Sequence, residues 1–168
     1  MIRILGIDPG SRITGFGVID SDGRRNVHVA HGHIKVEGED LGEKLAYIFY
    51  RIQRVVEEHQ PVEAGIEQVF MAKNAASALK LGQARGAAMC AAATLGLPVH
   101  EYAAKLVKQS VVGKGGADKA QIQHMVPLLL NIRGTKLQAD AADGLAIALC
   151  HAHLRTSKML LAELKANA

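Results

Sequence analysis

Four carboxylates sit where a charge needs a reason. Asp8 closes the apolar run Ile-Leu-Gly-Ile-Asp, and Pro9-Gly10 turns the chain directly after it. Glu67 closes a second such run, Ala-Gly-Ile-Glu. Asp140 and Asp143 stand at the front of a segment that is otherwise rich in Ala, Leu and Ile. A carboxylate at the end of a buried strand is costly unless it is paired or bound to a cation. At spacing i, i+3 the two later acids share one helical face. Gathered at one edge, the four would repel each other in a medium of low dielectric constant, and divalent cations would remove that repulsion. Hard oxygen donors suit Mg2+ or Mn2+ over zinc. Two such ions ~4 Å apart can activate water against a phosphodiester and stabilise the leaving oxygen. Plainer readings stay open for each residue alone. Asp8 is also a good turn former, and acids at a helix N-terminus answer the helix dipole.

For these residues to meet, the chain must fold in a particular way. Runs at Ile2–Asp8, Thr14–Asp20 and Asn26–Val36, joined by short turns, predict an antiparallel meander. Gly15 and Gly17 in the second run suggest close backbone approach. Leu41 to Glu58 carries Leu41, Leu45, Ile48, Ile52, Val55 and Val56 at helical spacing, with Pro61 beyond its end. A short strand follows at Glu63–Glu67. Next come a long Ala-rich helix from Ala75 to Leu95 and a fifth strand at Val99–Glu101. A short helix is expected over Ala103–Val111, a Gly-rich loop to Gly116, a helix from Ala117 to Leu130, a polar loop over Arg133–Leu137, and a last helix from Ala139 to Ala162. The order predicts one α/β domain spanning 1–168, with a five-stranded mixed sheet flanked by helices. The crossover helix lets the first and fourth strands run parallel as central neighbours. Asp8 and Glu67 would then emerge at the same edge.

Cations accompany the acids. Lys105, Lys108, Lys114 and Lys119 form the densest basic stretch, and Gly113, Gly115 and Gly116 let that loop approach a phosphate backbone. Lys119 falls in the first turn of a helix, where free N–H groups also favour phosphate. Gly-Lys-Gly-Gly-Ala-Asp-Lys does not have the spacing of a nucleotide phosphate loop. Phe70 and Lys73 follow Glu67 closely. Phe70 is either core or a wedge that stacks on a base. Lys73 is either a solvated charge or a phosphate contact. Lys80 and Arg85 on the long helix read as solvent-facing charges. His31 and His33 share a strand face without an acidic or Cys partner, and His151 and His153 point to different helix faces, so a structural His metal site is not expected.

Composition narrows the class. The chain has 168 residues, 49% of them apolar, which suits a folded domain. Lys plus Arg number 20 against 16 for Asp plus Glu, a balance that favours polyanions weakly. Cys90 and Cys150 each lie in an Ala-rich run and read as buried free thiols of a reducing cytosol. The first residues read as strand and turn instead of a signal peptide, and no apolar run reaches the ~20 residues of a membrane span. A cytoplasmic protein is expected.

Four strings, ILGIDPGSRITGFGVI, AGIEQVFMAKNAASALKLGQARG, YAAKLVKQSVVGKGGADKAQIQHMV and QADAADGLAIALCHAH, together resemble the RuvC family of Holliday-junction resolvases, in order and over nearly the entire chain. The resemblance implies a homodimer with a ribonuclease-H-like fold. It implies an endonuclease that resolves four-way junctions by symmetric nicks in two strands of like polarity, during recombination and repair. It assigns the four catalytic acids, and with them the Mg2+ sites, to Asp8, Glu67, Asp140 and Asp143, with Mn2+ able to substitute. It makes Phe70 a junction contact and places Lys108 and Lys119 near the cleaved strand. Four-way junction DNA and the bacterial branch-migration complex are the implied partners. One departure is Gly144, where the family usually has Ala; a helical Gly costs ~1 kcal/mol, less in a first turn. The loop Arg133–Leu137 also differs in detail. Other functions weighed are a ribonuclease acting on RNA or RNA–DNA hybrid, a junction-binding protein without catalysis, and an actin-like nucleotide binder. All four acids are present, against the second, and the chain lacks room for the two domains of the third.

Overall fold

The computed structural model describes residues 1–69, 74–134 and 137–166, with 158–166 described as backbone. Strands β1 (Ile2–Asp8), β2 (Ile13–Ser21) and β3 (Asn26–Lys35) precede helix α1 (Leu41–His59). Strand β4 (Glu63–Glu67), helix α2 (Ala75–Thr94), strand β5 (Val99–Tyr102) and helices α3 (Ala104–Val112), α4 (Lys119–Leu129) and α5 (Ala139–Ala166) follow. The sheet order is β3-β2-β1-β4-β5. β1 pairs antiparallel with β2 and parallel with β4, and β4 pairs parallel with β5. The predicted central pair is therefore present, and the C-terminal ends of β1 and β4 lie side by side.

The pattern of β1 follows from that position. Ile4, Leu5 and Ile7 are all buried, because layers cover both faces of a central strand. On one face α1 and α2 pack through Ile48, Ile52, Val55, Ala84 and Ala88 against Leu5, Ile7, Val18 and Ile66. On the other, α3, α4 and α5 build a second core around Ile4, Ile19, Leu145 and Leu149. Caps set the helix boundaries. Asp40 accepts from the Glu43 amide at 2.8 Å and opens α1. Gln60 ends it in the left-handed region at φ 50°, ahead of Pro61. Asp118 and Gln121 form a reciprocal capping box, so α4 opens at Lys119 and not at Ala117.

Helix α5 lies on the sheet almost backbone to backbone. A Cβ added at Gly15 would fall 1.9 Å from the Asp140 carbonyl oxygen, and one at Gly17 would fall 2.5 Å from the Leu145 nitrogen. The expected close approach at these two glycines is present. Gly144 belongs to the same contact, since a Cβ there would lie 2.6 Å from the Phe16 carbonyl carbon. The helix keeps its glycine because the strand leaves no room for a methyl group at this approach. One smaller expectation is corrected. Cys150 is buried, but Cys90 is exposed on α2. His31 pairs with His28, Nδ1 to Nε2 at 2.8 Å, because a bulge opposite Val18/Ile19 brings His28 into line. Among the described residues no helix is long and apolar enough to cross a membrane.

Candidate active site

Asp8 and Glu67 end adjacent parallel strands, and α5 brings Asp143 and Asp140 over that edge. The turn after Asp8 is fixed by Thr14, a fully buried residue whose hydroxyl donates to the Gly10 carbonyl at 3.1 Å. Asp8, Glu67, Lys108, Lys119 and Asp143 line a cleft of about 280 Å3 whose apolar wall includes Val107, Ile122 and Ile147. That wall is the reason the acids feel low dielectric. Burial, then Asp143, Glu67 and Asp140, push the Asp8 carboxyl from 3.8 up to about 8, against the opposing pull of Lys119. Burial and Asp143 also raise Glu67, while a hydrogen bond from Asp8 and the charges of Lys108 and Lys119 pull it down. Asp143 is raised by burial and by Asp140, with Lys119 the main opposing charge. Lys119 Nζ stands 3.8 Å from Asp143 Oδ2. The hydrogen bond that Asp8 makes to Glu67 is what lets two mutually repelling carboxyls lie side by side.

Each predicted residue can now be placed. Asp8, Glu67 and Asp143 line the cleft with Lys108 and Lys119. Asp140 reaches the same field from one helical turn away, acting on both Asp8 and Asp143. Lys114 is exposed on the loop after α3 and is not part of the cleft wall. Phe70 and Lys73 lie outside the described residues.

Sequence reasoning missed Arg85. Its Nε donates to the Glu67 carbonyl at 3.0 Å, and its guanidinium pairs with Glu101. It ties α2 to the end of β4 and fixes the backbone that carries Glu67; it is not a plain solvent charge. A lone Arg in an Ala-rich helix gives no pattern that could have shown this. Among the described residues the tightest group of metal-type ligands is elsewhere: Glu63, His100 and His151, with one atom from each all within 4.8 Å of one another. Two of its three members, Glu63 and His151, are already engaged. His151 contacts Glu63 through Nε2 and the Tyr102 hydroxyl through Nδ1, each at 2.7 Å, and Arg155 Nε lies 3.0 Å from both Glu63 oxygens. His151 is not among the residues lining the acidic cleft, and a hydrogen-bond network accounts for it. The four acids are spaced more widely than this trio, along a cleft instead of around one point.

Against this geometry stand the comparisons with known proteins. A family described as "Crossover junction endodeoxyribonuclease RuvC" matches residues 4–151. The chain belongs to the RuvC family. The RuvC of Marinobacter nauticus is 57% identical over 162 residues, covering 96% of this chain and 92% of that one. The RuvC of Methylococcus capsulatus is 59% identical over 155 residues, covering 92% and 93%. Among solved structures, Thermus thermophilus RuvC in complex with a Holliday junction substrate superposes with a TM-score of 0.87 at 31% identity, over 94% of this chain and 97% of that one. The fowlpox virus resolvase shares the fold alone, with a TM-score of 0.56 at 13% identity over 90% of this chain and 99% of that one. The fold is thus ribonuclease-H-like, and the family is one of crossover junction endonucleases, hydrolases that act in recombination and repair.

Proposed function

We propose that this chain resolves four-way DNA junctions by nicking two strands of like polarity, one at each of two symmetric sites. The observation that carries the reading is the buried acid edge: Asp8 and Glu67 end adjacent parallel strands and line one cleft with Asp143, where burial and mutual repulsion raise all three carboxyls. Such a donor set fits hard divalent cations, which relieve that repulsion. Asp8, Glu67, Asp140 and Asp143 would hold two Mg2+ ions, or Mn2+ in their place. When bound, the ions supply an activated water and a counter-charge for the leaving oxygen.

The remaining tasks fall to the chain itself. Lys108 and Lys119, on the cleft wall, bind the phosphates flanking the scissile one and oppose the rise that burial imposes on Glu67 and Asp143. Arg85 keeps Glu67 at its place on the β4 end. The apolar wall of Val107, Ile122 and Ile147 limits water around the reacting phosphate. Phe70 and Lys73, a few residues past Glu67, contact the junction near the crossing point, and Lys114 reaches a flanking arm.

Two symmetric cuts need two sites, hence a homodimer. The outer face of α2 suits the interface: Leu79 is 68% exposed, and the surfaces at Gly82 and Gly86 are open. The cytoplasm, alongside the branch-migration complex, is the setting in which such a nuclease would act. Comparing cleavage of a synthetic four-way junction with that of an RNA–DNA hybrid of equal length tests the substrate. Faster cutting of the hybrid would replace this reading with a ribonuclease.

A further inference from the structure

At the end of the sheet opposite the acids lies a second, larger groove. It runs between the β2–β3 turn, the last turn of α4 and the middle of α5, with a volume of about 820 Å3. Arg24, Arg25, His28, Arg133 and His153 line it, and none of its lining residues among those described is acidic. Its base is apolar, formed by Val27, Leu130, Ile132 and Leu149. Leu129 on its wall is 42% exposed, and the neighbouring Leu128 is 62% exposed. Asn26, also on the wall, holds its Oδ1 buried without a hydrogen-bond partner. An acceptor left so costs free energy that an incoming N–H would recover. Asn26, Val27 and His28 belong to β3, an edge strand of the sheet. An edge strand is a template to which a further strand can pair.

We infer that this groove docks a protein segment bearing acidic residues around one or two apolar side chains. Arginines around an apolar base are the composition of a protein interface. The substrate's own phosphates are the rival occupant, and the surface between the two sites argues against them. Asp8 is level with Gly15 and Ile2 with Ser21, so the length of β1, roughly 20 Å at ~3.4 Å per residue, separates the acids from the groove. Over that span α4 exposes Ala120, Gln121, His124 and Leu128, and carries no Lys or Arg after Lys119. A bound duplex would cross a stretch of α4 without Lys or Arg, and phosphates gain nothing from exposed leucines.

The test uses the full chain, isotope-labelled, with three probes: a twelve-residue peptide alternating Glu and Leu, the same peptide with Ser for Glu, and a twelve-base-pair duplex. The Glu/Leu peptide should shift the amides of residues 24–28 and 129–133, and the duplex those around Lys108 and Lys119. The triple variant Arg24→Glu, Arg25→Glu, Arg133→Glu should weaken the Glu/Leu peptide about tenfold or more, which is ~1.4 kcal/mol. Its melting temperature and its junction-nicking rate should stay near wild type. If the duplex shifts the groove amides, or the variant loses junction affinity as steeply as peptide affinity, the groove serves DNA and the inference is wrong. If the Ser/Leu peptide binds as well, or neither peptide moves these amides, no acidic segment docks there. Amide shifts are read without any cleavage, so this outcome is independent of the nuclease reading.

Discussion

Replacing Asp8 with Asn should stabilise the metal-free protein at pH 8 and leave it nearly unchanged at about pH 4 and below. The Asp8 carboxyl is raised from 3.8 to about 8 in the fold, burial first and the neighbouring acids second. A carboxyl raised on folding contributes stability that is fully present below its unfolded value and is lost as pH climbs through its folded value. Between pH 4 and 8 the wild-type protein must therefore lose stability, relative to a variant that is neutral throughout. At about 1.4 kcal/mol per unit, the full shift corresponds to roughly 5–6 kcal/mol. Water entry at the cleft mouth and relaxation of Lys119 toward Asp8 reduce this to about 2–4 kcal/mol. For a chain of this size that is about 5–12 °C in melting temperature. Melting curves in chelator from pH 4 to 9 would show the two proteins together at the acid end and apart at the alkaline end, the variant higher. Adding Mg2+ at pH 8 should raise the wild type more than the variant. Parallel curves, with no divergence as pH rises, would refute the claim that Asp8 is held uncharged by its neighbours.

Three further outcomes follow from the geometry. Gly15→Ala would drive a methyl group into the Asp140 carbonyl. It should cost about 1–3 kcal/mol in denaturant unfolding and slow junction nicking well beyond what that loss explains, because the front of α5 must move. Lys119→Ala should weaken junction binding and lower the slope of log affinity against log salt by about 0.9, as one phosphate contact is lost. His151→Ala would strip Glu63 and Tyr102 of a shared partner. Chemical denaturation should show a loss of about 2–4 kcal/mol, while nicking per folded molecule stays near wild type. A large fall in that rate would mean that His151 takes part in the chemistry.

Much of this site was legible before folding. Asp8 and Glu67 each end an apolar run, and the crossover between them allows only a few arrangements, one of which puts both acids on one edge. The glycines of β2 marked the place where α5 lands. What the chain concealed were contacts without a period. Arg85 sits in a helix of Ala and Gly that has no polar stripe to break, so neither its hold on Glu67 nor the exposure of Cys90 could be read. The bulge that inserts Val29 into the β2–β3 ladder leaves no mark in the alternation, and the His28–His31 pair came with it. Gly144 looked like a small local cost, yet its cause lies in Phe16, far away along the chain. Asp118 was a missed signal: an Asp three residues before a Gln announces a capping box.

In the proposed reaction, acids at the β1 and β4 ends gather cations to cut crossed duplexes. Its most direct measurement is strand-resolved cleavage of a mobile four-way junction, with each of the four strands labelled in turn, by the wild type and by Asp8→Asn in Mg2+. The expected result is paired nicks at matching positions in two strands of like polarity for the wild type, and bound but intact junctions for the variant and in chelator. Wild-type nicking rates in Asp8→Asn, or nicks that persist without divalent cations, would contradict it.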